Sequence, residues 1–207
     1  MEQLTLLSNG APAAALLLAI MVATSLLGLY AAPAIVERSL FRPYWLVRRS
    51  EYPTLITSGF VHADIPHLLF NGFTFWAFAF PLERQLGSQT FIALYFFGLL
   101  ASDAGTWWMH RHDPEYRTLG ASGAILAVLF ASIVHFPTGS IFILPIPVPI
   151  PSPQFALAYL AYTTYASRRG RGRINHDAHL SGALAGVVFV AFTDPDALGR
   201  AYRLIFG

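Results

Sequence analysis

The property that most restricts how this chain can fold is the length and number of its apolar runs. Six stretches read as candidate membrane spans: about Ala13–Ala31, His67 to about Leu82, about Thr90 to Trp108, Gly120 to Pro137, about Pro153–Ala166, and Ala178–Thr193. Only 12% of the 207 residues are charged and the mean hydropathy is +0.53, whereas a soluble domain carries about 25% charged residues. Lipid must therefore be the solvent for most of the surface. Several runs are shorter than the ~20 residues a bilayer asks for, which predicts local thinning or helices that stop below the surface. The expected fold is all-α, a polytopic bundle of six helices. With no linker, repeat or separate soluble part, residues 1–207 are expected to form one membrane domain.

The segments between the runs narrow the picture. The opening "MEQLTLLSNG" lacks the positive n-region of a secretory signal, so the first run is expected to remain as a span, with Pro12 tolerated in its first turn. The stretch from Ala31 to Pro66 is a long first loop, too aromatic and apolar for solvated coil, and is expected to lie in the membrane interface. "ILPIPVPIPSP" alternates proline and cannot be helical. There is no cysteine, which excludes disulfides and thiolate metal sites. All 13 basic residues are Arg, and no basic stripe is long enough to imply a nucleic-acid partner.

Six spans fix helix polarity: the second, fourth and sixth run parallel and open on one side of the membrane. On that side "GASG" places Ser122 near the start of the fourth span, and "HLSGALAG" places His179 near the start of the sixth. His67 opens the second, and Asn71 lies one turn deeper on the same face, because i and i+4 align. A lone intramembrane Ser commonly bonds within its own helix. Here Ser, two His and Asn converge at one depth, and polar groups inside a membrane mark a site. Ser122 beside His179 is a nucleophile with its base. His67, Asn71 and the free N–H groups at the start of the fourth span can bind a developing oxyanion. Gly120, Gly123, Gly182 and Gly186 keep the contacts narrow. Gly182 and Gly186 stand in G-x-x-x-G spacing, with Gly182 one turn below His179, which suits close helix packing.

These residues resemble the rhomboid intramembrane serine proteases across essentially all six spans. The family's G-x-S-G appears as Gly120-Ala121-Ser122-Gly123, and its A-H-x-x-G-x-x-x-G runs from Ala178 and His179 through Gly182 to Gly186. Its H-x-x-x-N appears as His67 to Asn71, with a further His62 upstream; "LERQLGS" and "LPIPVPIPSP" resemble its second connection and its entry to span five. The resemblance implies a Ser122–His179 dyad without a carboxylate, an oxyanion held by His67, Asn71 and the Ser122 amide, and transmembrane protein substrates. No cofactor and no metal are expected. Asp177, two residues from His179, is expected to point away from the dyad. Two departures stand out. Pro53-Thr54 replaces the Trp-Arg often found in the first loop, so the loop lacks that anchor. Leu126 occupies the place of an aromatic that often stacks on the base, which leaves imidazole placement to packing.

Ten Arg (Arg38, Arg42, Arg48, Arg49, Arg111, Arg117, Arg168, Arg169, Arg171 and Arg173) fall on the site's side and three (Arg84, Arg200 and Arg203) on the other. That count turns the site toward the cytoplasm, whereas the resemblance implies an outward mouth. The expected orientation is the outward one that the resemblance implies, in a cell membrane with its lipids. His110 and His112, beside Trp107 and Trp108, read as an interfacial belt. His135 reads as a cap at the far end of the fourth span. His176 and His179, at i and i+3, lack the further ligands a metal needs. Asp103 in the third span has no nameable partner and is expected to line water access. The alternative to a protease is a rhomboid-like pseudoprotease that binds membrane clients without cleavage; a transporter is disfavoured by the lack of repeats and broken helices.

Overall fold

A computed structural model describes residues 10–143, 146–169 and 174–207. In chain order the elements are α1 (Pro12–Tyr30), α2 (Ala34–Ser39), α3 (Pro43–Arg48), α4 (Thr54–Thr57) running into a 3-10 turn (Ser58–Phe60), α5 (Ile65–Leu86), α6 (Ser88–His110), α7 (Ser122–His135), β1 (Ser140–Ile143), β2 (Ile146–Pro151), α8 (Ser152–Arg169), α9 (His176–Thr193) and α10 (Pro195–Phe206). A helix occupies each of the six apolar runs. The largest shift is at the end of α5, which passes Pro81 and continues through Glu83 and Arg84 to stop at Gly87 with φ 79°. Apolarity ends at Leu82; helical hydrogen bonding does not.

Among the described residues, α1 and α5 are long and apolar enough to cross a membrane alone, and α9 with α10, bent by 109°, makes a third if the pair is one span. Length and composition therefore support fewer spans than the six expected. The reason is visible in the other helices. α7 has 14 residues and is buried from Gly123 to Ile133, wrapped by protein rather than lipid. α6 carries Ser102, Asp103 and Thr106, all buried, and α8 carries a row of hydroxyl side chains.

α7 is the axis of the fold. Gly182 of α9 lies against the Gly123 carbonyl, and Gly186 lies against that of Ala127, so close that a Cβ at either position would overlap the α7 backbone. Gly98 of α6 meets Ala127 from another side. Glycines at these contacts let backbones meet directly. Around them, Phe75, Phe91, Tyr95, Leu82 and Leu94 pack with Ala14 and Met21 of α1 into the main core.

Two anchors were not apparent from the sequence. Glu83, 1% exposed, turns its carboxylate onto the N-terminus of α1. Its Oε1 accepts from the Ala13 amide at 3.0 Å and from the Ser88 hydroxyl at 2.6 Å, and its Oε2 accepts from the Ala14 amide at 2.6 Å. An anion there satisfies orphan donors and meets the positive end of the helix dipole. The first loop, short of Trp-Arg at Pro53-Thr54, is held by other means. Phe41 and Thr118 exchange backbone hydrogen bonds at 2.9 and 3.0 Å, Arg42 pairs with Glu51 through two bonds of 2.7 and 3.0 Å, and the Trp45 indole donates to the Pro114 carbonyl.

Two features depart from an all-α chain of six helices. Ile146–Pro151 of the proline-alternating connector is non-helical, as expected, but as β2 it pairs antiparallel with β1 in a two-stranded hairpin, Ile141 opposite Ile150. Ser152 and Pro153 already open α8, and Leu144 and Pro145 lie outside the described residues. A proline at every second position leaves one edge without donors, which a two-stranded ladder tolerates. After the bend at Asp194, α10 buries Ala197 and Ala201 and exposes Tyr202, Leu204 and Phe206. Residues 1–9 and the Arg171–Arg173 part of the basic stretch lie outside the described residues.

Candidate functional site

The α5, α7 and α9 helices open at one end of the molecule onto a cavity of about 760 Å³, lined among others by His67, Asn71, Gly120, Ser122 and His179. Ser122 is the first residue of α7, two positions nearer the helix start than its run boundary suggested, so its amide is one of the donors left free there. His179 is the fourth residue of α9, whose first turn is capped by Asn175 accepting from the Ala178 amide at 3.0 Å. The hydroxyl and the imidazole meet: His179 Nε2 lies 2.9 Å from Ser122 Oγ. The Gly182 and Gly186 contacts below bring the two helices near enough for this.

His67 is the third residue of α5, its amide donating to the Asp64 N-cap at 2.8 Å. Its ring lies against Gly120, which has φ 120°; a Cβ there would lie 2.6 Å from His67 Cε1 and 2.8 Å from Nε2. Both that backbone angle and the close approach require glycine. Asn71, one turn along, is buried, and its Nδ2 has no partner among the described residues. An unpaired buried amide donor facing a cavity is unusual, because leaving it unmade costs about 1–3 kcal/mol. His62 stands behind His67, fully buried, with Nδ1 at 3.0 Å from Ser25 Oγ and its ring edge-on to His67 at 4.9 Å. Burial pushes the His62 imidazole down to about 3, with His67 acting in the same direction and Asp64 against it.

Asp177 faces away from the dyad, as expected. Its Oδ2 pairs with His110 Nε2 at 2.8 Å and its Oδ1 accepts from the Ser167 hydroxyl. His110 thereby gains a partner that the belt reading did not include; it stacks on Tyr116 at 3.6 Å and joins α6 to α9 at the cavity rim. Two residues apart in sequence, His110 and His112 differ in role: His112 is exposed. The Arg111 guanidinium lies over the rings of Trp107 and Trp108, at 5.5 and 4.1 Å from their centroids. His135 is the last residue of α7. Asp103 lines the cavity, with Oδ2 unpartnered among the described residues.

The expectation that packing alone places the imidazole is overturned. Leu126 is buried at its position on α7, and an aromatic arrives instead from α8: the Tyr159 hydroxyl lies 2.9 Å from His179 Nδ1. One and two turns on, Thr163 donates to the His176 carbonyl at 3.2 Å and Ser167 bonds Asp177. Tyr159, Thr163 and Ser167 stand at i, i+4 spacing, and that polar stripe was the signal available in the sequence.

A family model described as Rhomboid domain matches residues 49–194. The chain belongs to the rhomboid family. It is similar to the human presenilin-associated rhomboid-like protein, mitochondrial, at 32% identity over 67% of this chain and 37% of that one. The rat protein of the same name is 31% identical over the same shares. Rhomboid protein 1, mitochondrial, of Saccharomyces cerevisiae is 29% identical over 72% of this chain and 45% of its own length. This rhomboid thus spans under half the length of these relatives. With its family and its apolar helices, it is an integral membrane protein.

Proposed function

We propose that this rhomboid is an intramembrane serine endopeptidase that cleaves transmembrane segments of membrane-protein substrates. The observation that carries the reading is the 2.9 Å contact between His179 Nε2 and Ser122 Oγ at the wall of a cavity. Ser122 Oγ attacks the scissile carbonyl carbon while its proton passes to His179 Nε2. The tetrahedral intermediate collapses as the C–N bond breaks, and His179 returns the proton to the departing amine. Water, deprotonated by His179, then hydrolyses the acyl-enzyme and frees Ser122. The oxyanion is held by the Ser122 amide, Asn71 Nδ2 and His67. The unpartnered Asn71 donor supports that role, since one such donor is typically worth ~10²–10³ in rate. In this reading α1, α5, α6, α7, α8 and α9 are the six spans of a single domain, whose mouth faces outward. The membrane is proposed to be the cell membrane; the relatives' names point instead to mitochondria, and fractionation of a tagged chain separates the two.

The test uses purified protein in detergent with a transmembrane peptide carrying small residues near the top of its helix. Cleavage is expected from the wild type and lost in Ser122→Ala and His179→Ala at unchanged melting temperature, with Asn71→Ala slowed ~10²–10³-fold. Equal cleavage by the Ser122 and His179 variants refutes the assignment. Peptide binding without cleavage by the wild type makes this chain a pseudoprotease.

A further inference from the structure

We infer that Tyr159 is a positioning residue for the base: its hydroxyl oxygen accepts the Nδ1–H of His179 and so holds the imidazole in the tautomer that can take a proton from Ser122. The inference rests on the hydrolase reading of the Ser122–His179 pair and adds a third member to it.

The two ring nitrogens of His179 face different hydroxyls. Nε2 lies 2.9 Å from Ser122 Oγ and Nδ1 lies 2.9 Å from the Tyr159 hydroxyl. A neutral imidazole carries one proton. If it sat on Nε2, that nitrogen could only donate to Ser122 and could not act as its base. The working tautomer has Nδ1–H, which needs an acceptor, and Tyr159 is the group within reach. Asp177, the nearest carboxylate in sequence, is engaged by His110 and Ser167. When His179 takes the Ser122 proton, the Nδ1–H bond becomes charge-assisted, and such bonds are roughly twice as strong. The Tyr159 contact is therefore worth more as the reaction proceeds than before it starts, which is the condition for raising a rate.

Tyr159 is itself held in place. Its ring packs on Phe155 at 5.6 Å and Phe130 at 6.0 Å and lies nearly parallel to that of His179, at 26° and 6.5 Å between centroids. Thr163 and Ser167 pin the same face of α8 to the first turn of α9. It does not line the cavity, so its effect on substrate passes through His179.

The experiment measures Ser122 modification by a fluorophosphonate probe in detergent, resolved into the maximal rate and the half-saturating concentration. Beside it, ¹⁵N spectra of histidine-labelled protein report the His179 tautomer, assigned by difference from His179→Gln. Wild type should show Nδ1 protonated. Tyr159→Phe, which keeps the ring and its packing, should lower the maximal rate about tenfold at unchanged half-saturation and populate the Nε2–H form, with Tyr159→Leu no less impaired. If Tyr159→Phe matches wild type in rate and tautomer while Tyr159→Leu falls, the ring merely fills space and the inference is overturned. If wild type is not modified at Ser122, the hydrolase reading fails instead; the tautomer spectra still judge whether Tyr159 orients His179.

Discussion

Gly182→Ala should cripple the site without touching it. A Cβ at this position would lie 2.8 Å from the carbonyl carbon of Gly123, 3.0 Å from its Cα, and closer still to its oxygen, where ordinary contact begins at 3.4 Å. The atoms met are α7 backbone and cannot rotate aside, so α9 must retreat by roughly 1 Å. His179 is three residues before Gly182 on the same helix face and moves with it. Its 2.9 Å approach to Ser122 Oγ then stretches beyond ~3.2 Å, the outer range of a useful hydrogen bond. A misplacement of ~1 Å can cost ~10² in rate, equivalent to about 2.7 kcal/mol. Overpacking should cost ~1–3 kcal/mol of stability, partly offset by the ~0.5–1 kcal/mol a helix gains on Gly→Ala. Gly72→Ala is the control: its Cβ would find only Leu18 Cδ1 at 3.7 Å, so both activity and melting should hold or improve slightly. Fluorophosphonate labelling rates and melting curves in the same detergent give both quantities. A Gly182→Ala protein that labels within twofold of wild type would show that helix separation does not set the dyad, and the packing argument would fall.

Two further outcomes follow from buried groups. Glu83→Ala strips the partners from the Ala13 and Ala14 amides and from Ser88 Oγ; with ~1–3 kcal/mol for each orphaned group less what entering water restores, unfolding should become easier by about 3 kcal/mol. A melting curve unchanged from wild type contradicts that cap. The His62 imidazole, lowered from 6.5 to about 3 by burial, is neutral in the folded protein and takes up a proton when unfolded below pH 6.5. Its contribution is fully present above pH 6.5 and is lost at up to about 1.4 kcal/mol per pH unit as pH falls from there toward 3. His62→Gln, which cannot titrate, should flatten that slope in melting temperature against pH; an identical slope rules out His62 as its source.

How much of this was legible in the sequence depends on the range of the interaction concerned. Run lengths located six helices because apolarity and helical hydrogen bonding mostly end together; they part at Leu82, where Glu83 and Arg84 continue the helix. The placing of Ser122, His179, His67 and Asn71 around one cavity followed from helix polarity alone, which a sequence does encode. So did the Gly182 and Gly186 contacts, since close packing demands small residues at fixed spacing. What stayed hidden are side chains whose partner lies far along the chain: Glu83 on α1, His110 on Asp177, Tyr159 on His179. Glu83 and His110 are unremarkable on their own helices, the polar stripe of Tyr159 marks a face without naming what it meets, and only tertiary packing supplies each counterpart.

The case of Tyr159 shows why such groups are hard to read yet strongly constrained. The Nδ1 of a general-base histidine needs an acceptor wherever it can be had, but nothing requires it from a particular helix. Leu126 leaves no ring at that place on α7, and from α8 the Tyr159 ring lies nearly parallel to that of His179 with its hydroxyl 2.9 Å from Nδ1, at the end of a Tyr–Thr–Ser stripe. A motif search keyed to the position on α7 records a loss. The partners of each imidazole nitrogen point instead to Tyr159, because a buried ring N–H left without an acceptor costs about 1–3 kcal/mol.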